Sequence, residues 1–248
     1  MSQTPPPIIH QDRAALAAGY SRTHRAVELF AITAAFSLAG WCGWRIAEVA
    51  PDRPFVVVAG LLTAWLAADF GSGLVHWAGD TWGTTRTPLV GQSIIRTFRE
   101  HHVDEKSITR HDFVETNGLN CLATLPMLLT SAALGLEELW SLLVATFLHS
   151  LAIWVFLTNQ IHSWAHDDHA PAPVRFLQRV GLVLGPQHHA VHHAAPFDKY
   201  YCITTGWMNP VLLRLDFYRR TERLITALTG AVPRQDDIGD EAARALIE

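Results

Sequence analysis

Four long apolar runs decide most of what this chain can become. They lie at about 27–47, 54–77, 119–136 and 139–162, and each is near the roughly 20 mostly apolar residues that cross a bilayer as a helix. Residues 27–44 hold one charge, Glu28; residues 54–77 hold one, Asp69; residues 119–136 and 139–161 hold none. The first run follows a polar arm and is longer than the roughly 7–15-residue core of a signal peptide, so it is expected to be a retained anchor. Only 17% of the 248 residues are charged, against about 25% for a soluble domain, and the net charge is −4. That balance argues against a nucleic-acid partner.

The basic residues set the expected orientation. Seventeen of the 19 Lys and Arg fall before the first run, between the second and third, or after the fourth; Arg45 and Arg53 are the exceptions. By the positive-inside rule both termini face the cytoplasm. Residues 1–25 then form a cytoplasmic arm, 26–235 a membrane domain, and 236–248 a flexible acidic tail. The expected fold is an all-α integral membrane protein of four transmembrane helices with a cytoplasmic helical cap. Within the soluble parts, 91–106 has helical character, 174–184 is too short to span and reads as an interfacial helix, 188–193 begins or continues a helix after Pro186, and 211–229 is amphipathic.

Fourteen histidines are the compositional anomaly, and that orientation brings ten of them to one membrane face: His76, His101, His102, His111, His162, His166, His188, His189, His192 and His193. Residues three and four apart share a helix face. His76 and Asp80 are so spaced, as are His162 and His166, and the HxxHH string of His189, His192 and His193 can converge on one point. His101 and His102, adjacent on a helix and about 100° apart, suit two neighbouring metals. Asp69, eleven residues before Asp80, faces the same way; an acid at that depth is a functional candidate, either orienting a ligand histidine or bonding to a neighbouring helix. Imidazole suits zinc, copper, iron and nickel. The excess of imidazoles over the three or four of a mononuclear site points to two metals, and iron pairs this site with dioxygen chemistry on lipid C–H bonds. Arg99 and Arg110 are candidates for lipid headgroup phosphates. Cys42, Cys121 and Cys202 are odd in number and far apart, so they make no disulfide framework. HExxH and GxSxG strings are absent, which removes the common metalloprotease and hydrolase readings.

The strings GLVHWAGDTWG (73–83), FREHHVDEKSITRHDFVETNG (98–118), TNQIHSWAHD (158–167), HHAVHHAAP (188–196) and YYCITTGWMNP (200–210) resemble the plasmanylethanolamine desaturase family, which includes plant plastid desaturases. The resemblance covers about residues 60–235. It implies conversion of a 1-O-alkyl ether phospholipid to its 1-O-alk-1'-enyl form, with dioxygen and two electrons from a cytochrome b5-like or ferredoxin-like donor. It also implies a diiron site with His76, Asp80, His101, His102, His111, His162, His166, His189, His192 and His193 as ligands. His188 would stand beside the ligands, and Asn159 would reach the metal directly or through water. The first motif here is HxxxD, where acyl-CoA desaturases have HxxxxH. Two alternatives remain: a desaturase or hydroxylase of another membrane acyl lipid, and a non-enzymatic metal-binding membrane protein. With Arg outnumbering Lys 17 to 2, the composition favours a bacterial inner membrane over the endoplasmic reticulum.

Overall fold

The computed structural model describes residues 21–194 and 196–234; the expected N-terminal arm lies almost wholly, and the acidic tail entirely, outside these residues. Among the described residues every regular element is helical. Four long helices form the body: α1 (Arg22–Val49), α2 (Pro54–Thr81), α4 (Phe113–Ala133) and α5 (Leu139–His166). Short helices α3 (Arg96–Val103), α6 (Ala172–Arg179), α7 (Pro186–His189), α8 (Asn209–Arg214) and α9 (Phe217–Thr229) complete it.

The helix starts are written locally. Ser21 caps α1 by accepting the His24 N–H, Pro54 opens α2 where its missing N–H costs nothing, and Asp112 caps α4 by accepting from Val114 and Glu115. That last cap starts α4 six residues before the apolar run that marks it in the sequence. The order across the bundle is α1, α4, α5, α2, each packed along the next. At Gly118 on α4 an added Cβ would stand 2.3 Å from Cβ of Glu28, so the absent side chain is what lets α1 and α4 approach.

Helices α1, α2 and α5 are long and apolar enough to cross a membrane. Their apolar side chains point outward: Phe30 is 67% and Phe55 88% exposed, the arrangement of helices solvated by lipid. Helix α4 is not among the three. Its hydropathy is lowered by Thr116, Asn117, Asn120 and Thr124, which are buried or half-buried. The Asn117 amide donates to Gln160 and that of Asn120 to the Val155 carbonyl, both on α5.

Ligand-bearing ends are gathered together. Arg25 on α1 pairs with Asp112 at the start of α4 (2.6 Å), so these two helices begin at the same end of the bundle. Helices α2 and α5 finish there, each continuing past its apolar run so that His76 and Asp80, or His162 and His166, stand on one unbroken helix.

Three expected elements are shorter than their sequence patterns. The 174–184 stretch is helical only to Arg179, and the HxxHH string leaves the helix after His189. The amphipathic 211–229 stretch is split at Asp216, whose φ of 49° breaks the helical path between α8 and α9.

Candidate metal centre

Nine of the ten expected ligands come together in two adjoining groups. His101, His162, His166, His189 and His193 form one; His76, Asp80, His102 and His192 form the other. Within each group the candidate ligand atoms all lie within 4.8 Å of one another. The adjacent pairs His101/His102 and His192/His193 each send one member to each group, which ties the two together. The expectation that His189, His192 and His193 meet at one point is corrected: His189 and His193 do, but the helix ends at His189 and the turn that follows carries His192 across to the second group.

The spacing inside the groups is that of a coordination shell. The Nε2 atoms of His162 and His189 are 2.8 Å apart, those of His101 and His193 3.0 Å, those of His189 and His193 3.0 Å, and those of His102 and His192 3.3 Å. Oδ2 of Asp80 lies 3.3, 3.4 and 3.5 Å from Nε2 of His76, His102 and His192. Six donors at metal–nitrogen bonds of about 2.1 Å would be spaced by about 3.0 Å along each edge. Nε2 of His76, Nε2 of His166 and both carboxylate oxygens of Asp80 are buried with no hydrogen bond. Buried polar atoms in such number and without partners are costly, and a cation at each focus resolves them. Five nitrogens exceed the four of a structural zinc site, so the larger group suits a metal of higher coordination number.

Two candidate ligands are oriented from behind by backbone. Nδ1 of His76 lies 3.1 Å from the Tyr201 carbonyl oxygen, and Nδ1 of His192 lies 3.0 Å from that of Lys199. A carbonyl only accepts, so Nδ1 carries the proton in both and Nε2 keeps its lone pair for a metal. Burial holds His101, His189, His192 and His193 below the ordinary imidazole range, reinforced by neighbouring histidines. They are therefore neutral at pH 7 and ready to coordinate.

The other expected site residues lie elsewhere. His111 belongs to neither group; its Nε2 is 3.9 Å from Oε1 of Glu115. Asn159 commits its amide nitrogen to the Thr116 carbonyl and to Asn120, which ties α5 to α4. Asp69 touches no ligand histidine. Its Oδ1 accepts from the backbone N–H of Thr205 (2.7 Å) and Gly206 (2.8 Å), and its Oδ2 from Met208 (2.9 Å). His188 bonds to the Asn209 amide (3.1 Å) and packs on Tyr200. Arg110 pairs with Asp104, and Arg99 is half-buried on α3.

The stretch from 199 to 208 is what sequence reasoning missed. It is a non-helical strap threaded between α2 and α5, with Tyr201, Cys202, Ile203, Thr204 and Thr205 buried. Asn209 accepts from the Cys202 N–H and donates to the Cys202 carbonyl, and Ser72 of α2 receives the Ile203 N–H. Gly206 sits at φ 79°, and a Cβ there would stand 2.5 Å from Nε2 of His188. The signal for this strap was present in the acid at 69, whose partners had to be buried donors.

The lipid desaturase domain matches residues 65–236, which include every member of both histidine groups. The chain belongs to the lipid desaturase family. Among its relatives, the plasmanylethanolamine desaturase of Myxococcus xanthus is 52% identical over 97% of this chain and 85% of its own length. The mouse plasmanylethanolamine desaturase 1 is 43% identical over 92% of this chain and 87% of its own. A chloroplastic fatty acid desaturase 4 of Arabidopsis thaliana is 35% identical over 68% of this chain and 52% of its own. No solved structure matches the chain.

Proposed function

We propose that this lipid desaturase converts plasmanylethanolamine to the corresponding plasmalogen. Two hydrogens leave C1' and C2' of the 1-O-alkyl chain, dioxygen is the oxidant, and with two electrons and two protons the balance is one vinyl ether and two waters. The observation that carries this reading is the pair of adjoining histidine groups at one end of an apolar bundle. A lipid's ether carbons reach that depth and a water-soluble substrate has no reason to. The match to plasmanylethanolamine desaturases over at least 85% of each chain supports the choice of substrate.

In this reading the five-histidine group and the three-histidine, one-aspartate group would each hold one iron, and the pair would activate dioxygen for C–H cleavage. The chain's own residues hold the ligands neutral and oriented, through burial and through the carbonyls of Lys199 and Tyr201. All four long helices span the membrane, with α4 crossing by turning its polar residues toward α5. The ligand-bearing end faces the cytoplasm, the side to which the positive-inside rule assigns the sequence segments with 17 of the 19 basic residues, and there a cytochrome b5-like or ferredoxin-like donor delivers electrons. The bacterial inner membrane is the favoured location.

The test is expression in cells that contain alkyl ether phospholipids but lack plasmalogens, with acid-labile vinyl ethers quantified by mass spectrometry. Vinyl ether from the wild type and none from His193→Ala is the expected result. A new acyl double bond or hydroxyl in the same lipid extract, without vinyl ether, would move the reading to another membrane lipid.

A further inference from the structure

A cleft of about 380 Å³ opens beside the carboxylate-bearing histidine group. That is within the roughly 300–1,000 Å³ of small-molecule sites. Asp80 and His102 line it together with Asp198, Arg219, Glu222 and Arg234. Arg234 is committed elsewhere: its guanidinium donates to the backbone carbonyls of Asp80 and Gly83, closing the end of α2. Asp198 is paired with Arg219. Glu222 has one oxygen fixed by the indole N–H of buried Trp77 at 2.8 Å. Trp77 and Asp80 are three residues apart on α2, one turn of helix, so Glu222 is anchored about one turn from a metal ligand. On α9, Arg219 and Glu222 are likewise three apart and share a face. Arg219, paired with Asp198, is the one guanidinium in the lining that is not tied to backbone.

We infer that this cleft receives the phosphoethanolamine headgroup of the ether lipid, with Glu222 taking the ammonium and Arg219 the phosphodiester, and that Glu222 sets headgroup selectivity. The inference rests on the proposed reaction, because that reaction fixes where the headgroup must be. Six bonds separate the ether carbon C1' from phosphorus and ten separate it from the ammonium nitrogen. An extended chain gains about 1.2 Å per bond, so these atoms lie no more than about 7 and 12 Å from the reacting carbon. A headgroup so tethered has to bind against the metal centre. This cleft touches that centre and offers one acid and one guanidinium for a zwitterion.

The choline headgroup makes the discriminating probe, since its quaternary nitrogen has no N–H to give. Purified, metal-loaded protein in detergent is titrated with 1-O-alkyl lysophospholipids bearing ethanolamine or choline, and the two dissociation constants are compared by calorimetry. The wild type is expected to prefer the ethanolamine lipid by about tenfold or more, as a site built around donated N–H groups does. Glu222→Gln keeps a carbonyl oxygen for Trp77 while removing the charge. It should bring the ratio close to one, by weakening the ethanolamine lipid more than the choline lipid, with metal content unchanged, and Glu222→Asp should restore part of the preference. A wild type without preference, a Gln variant that keeps it, or a variant that loses both lipids and the metal together would overturn the assignment. Selective binding by a protein that makes no vinyl ether in cells would defeat the proposed reaction and leave the cleft standing; vinyl ether formation with equal binding would do the reverse.

Discussion

Nδ1 of His192 lies 3.0 Å from the carbonyl oxygen of Lys199, and this bond fixes which nitrogen of His192 can hold a metal. The Tyr201 carbonyl does the same for His76. Between these two carbonyls sits Tyr200 with a φ of 64°, a left-handed conformation that costs a non-glycine residue about 1–2 kcal/mol. The strap that carries all three is fastened further along. Asn209 holds Cys202 by both of its backbone polar groups, and Asp69 holds the N–H groups of residues 205, 206 and 208. Asp69 within α2 and Asn209 thus fasten the one strap whose carbonyls orient His76 and His192, two candidate ligands of the carboxylate-bearing group.

Asp69→Asn should loosen that set. An amide presents only one acceptor oxygen, so at least one of three buried N–H groups is left unpaired, at a cost of about 1–3 kcal/mol. The expected result is a lower unfolding temperature in detergent and a metal content falling from two ions per chain toward one, as the group holding His76 and His192 loses its metal first. Elemental analysis checks this. A variant with full metal content at unchanged stability would contradict it.

The helices were legible and the strap was not, for a physical reason. Long apolar runs and i, i+4 spacings are local patterns, so the ends of α2 and α5 and the side chains grouped there could be read directly. The strap has no periodicity: Thr204 and Thr205 are buried because α2 and α5 supply partners more than 40 residues away in sequence. The division of His192 from His193 was hidden likewise, since it depends on where the one-turn helix Pro186–His189 stops. His111 sits in a motif with His101 and His102, but α3 ends at Val103 and the intervening turns carry it to the start of α4 beside Glu115.

Replacing two histidines separates ligands from neighbours. His193→Ala removes one of five converging nitrogens and should abolish turnover and deplete metal, with membrane insertion intact. His111→Ala should keep two metals per chain. Measuring metal content and insertion on both variants is the check; metal loss from His111→Ala equal to that from His193→Ala would restore His111 to the ligand set.

Removing metal should cost stability as well as activity. The buried Nε2 atoms of His76 and His166 and the carboxylate of Asp80 have no hydrogen bonds, so a stripped centre keeps polar atoms unpaired in the interior. A ligand present at about 1,000 times its dissociation constant stabilises the folded state by about 4 kcal/mol. Prolonged chelation should therefore lower the unfolding temperature. Ferrous iron should restore both stability and activity, and zinc, which has no redox chemistry, stability alone. Recovery of turnover with zinc would exclude iron as the working metal.

Arg45 stands apart from the basic residues that set orientation, and its role is structural. From α1 its guanidinium donates to the carbonyls of Ala132 and Leu134 at 2.8 Å each, and to that of Ser131 at 3.4 Å. These are among the carbonyls that α4 leaves unpaired where it ends, and a cation is favoured at a helix C-terminus. Arg45→Ala should cost about 1.5–3 kcal/mol, the range for a lost bond to a charged group. Arg45→Lys should recover only part, because an ammonium cannot span two carbonyls as a planar fork does. Thermal unfolding of both variants, with metal content and orientation measured alongside, tests this. Lower stability with metal and orientation unchanged is expected, whereas a change of orientation would give Arg45 a part in setting topology.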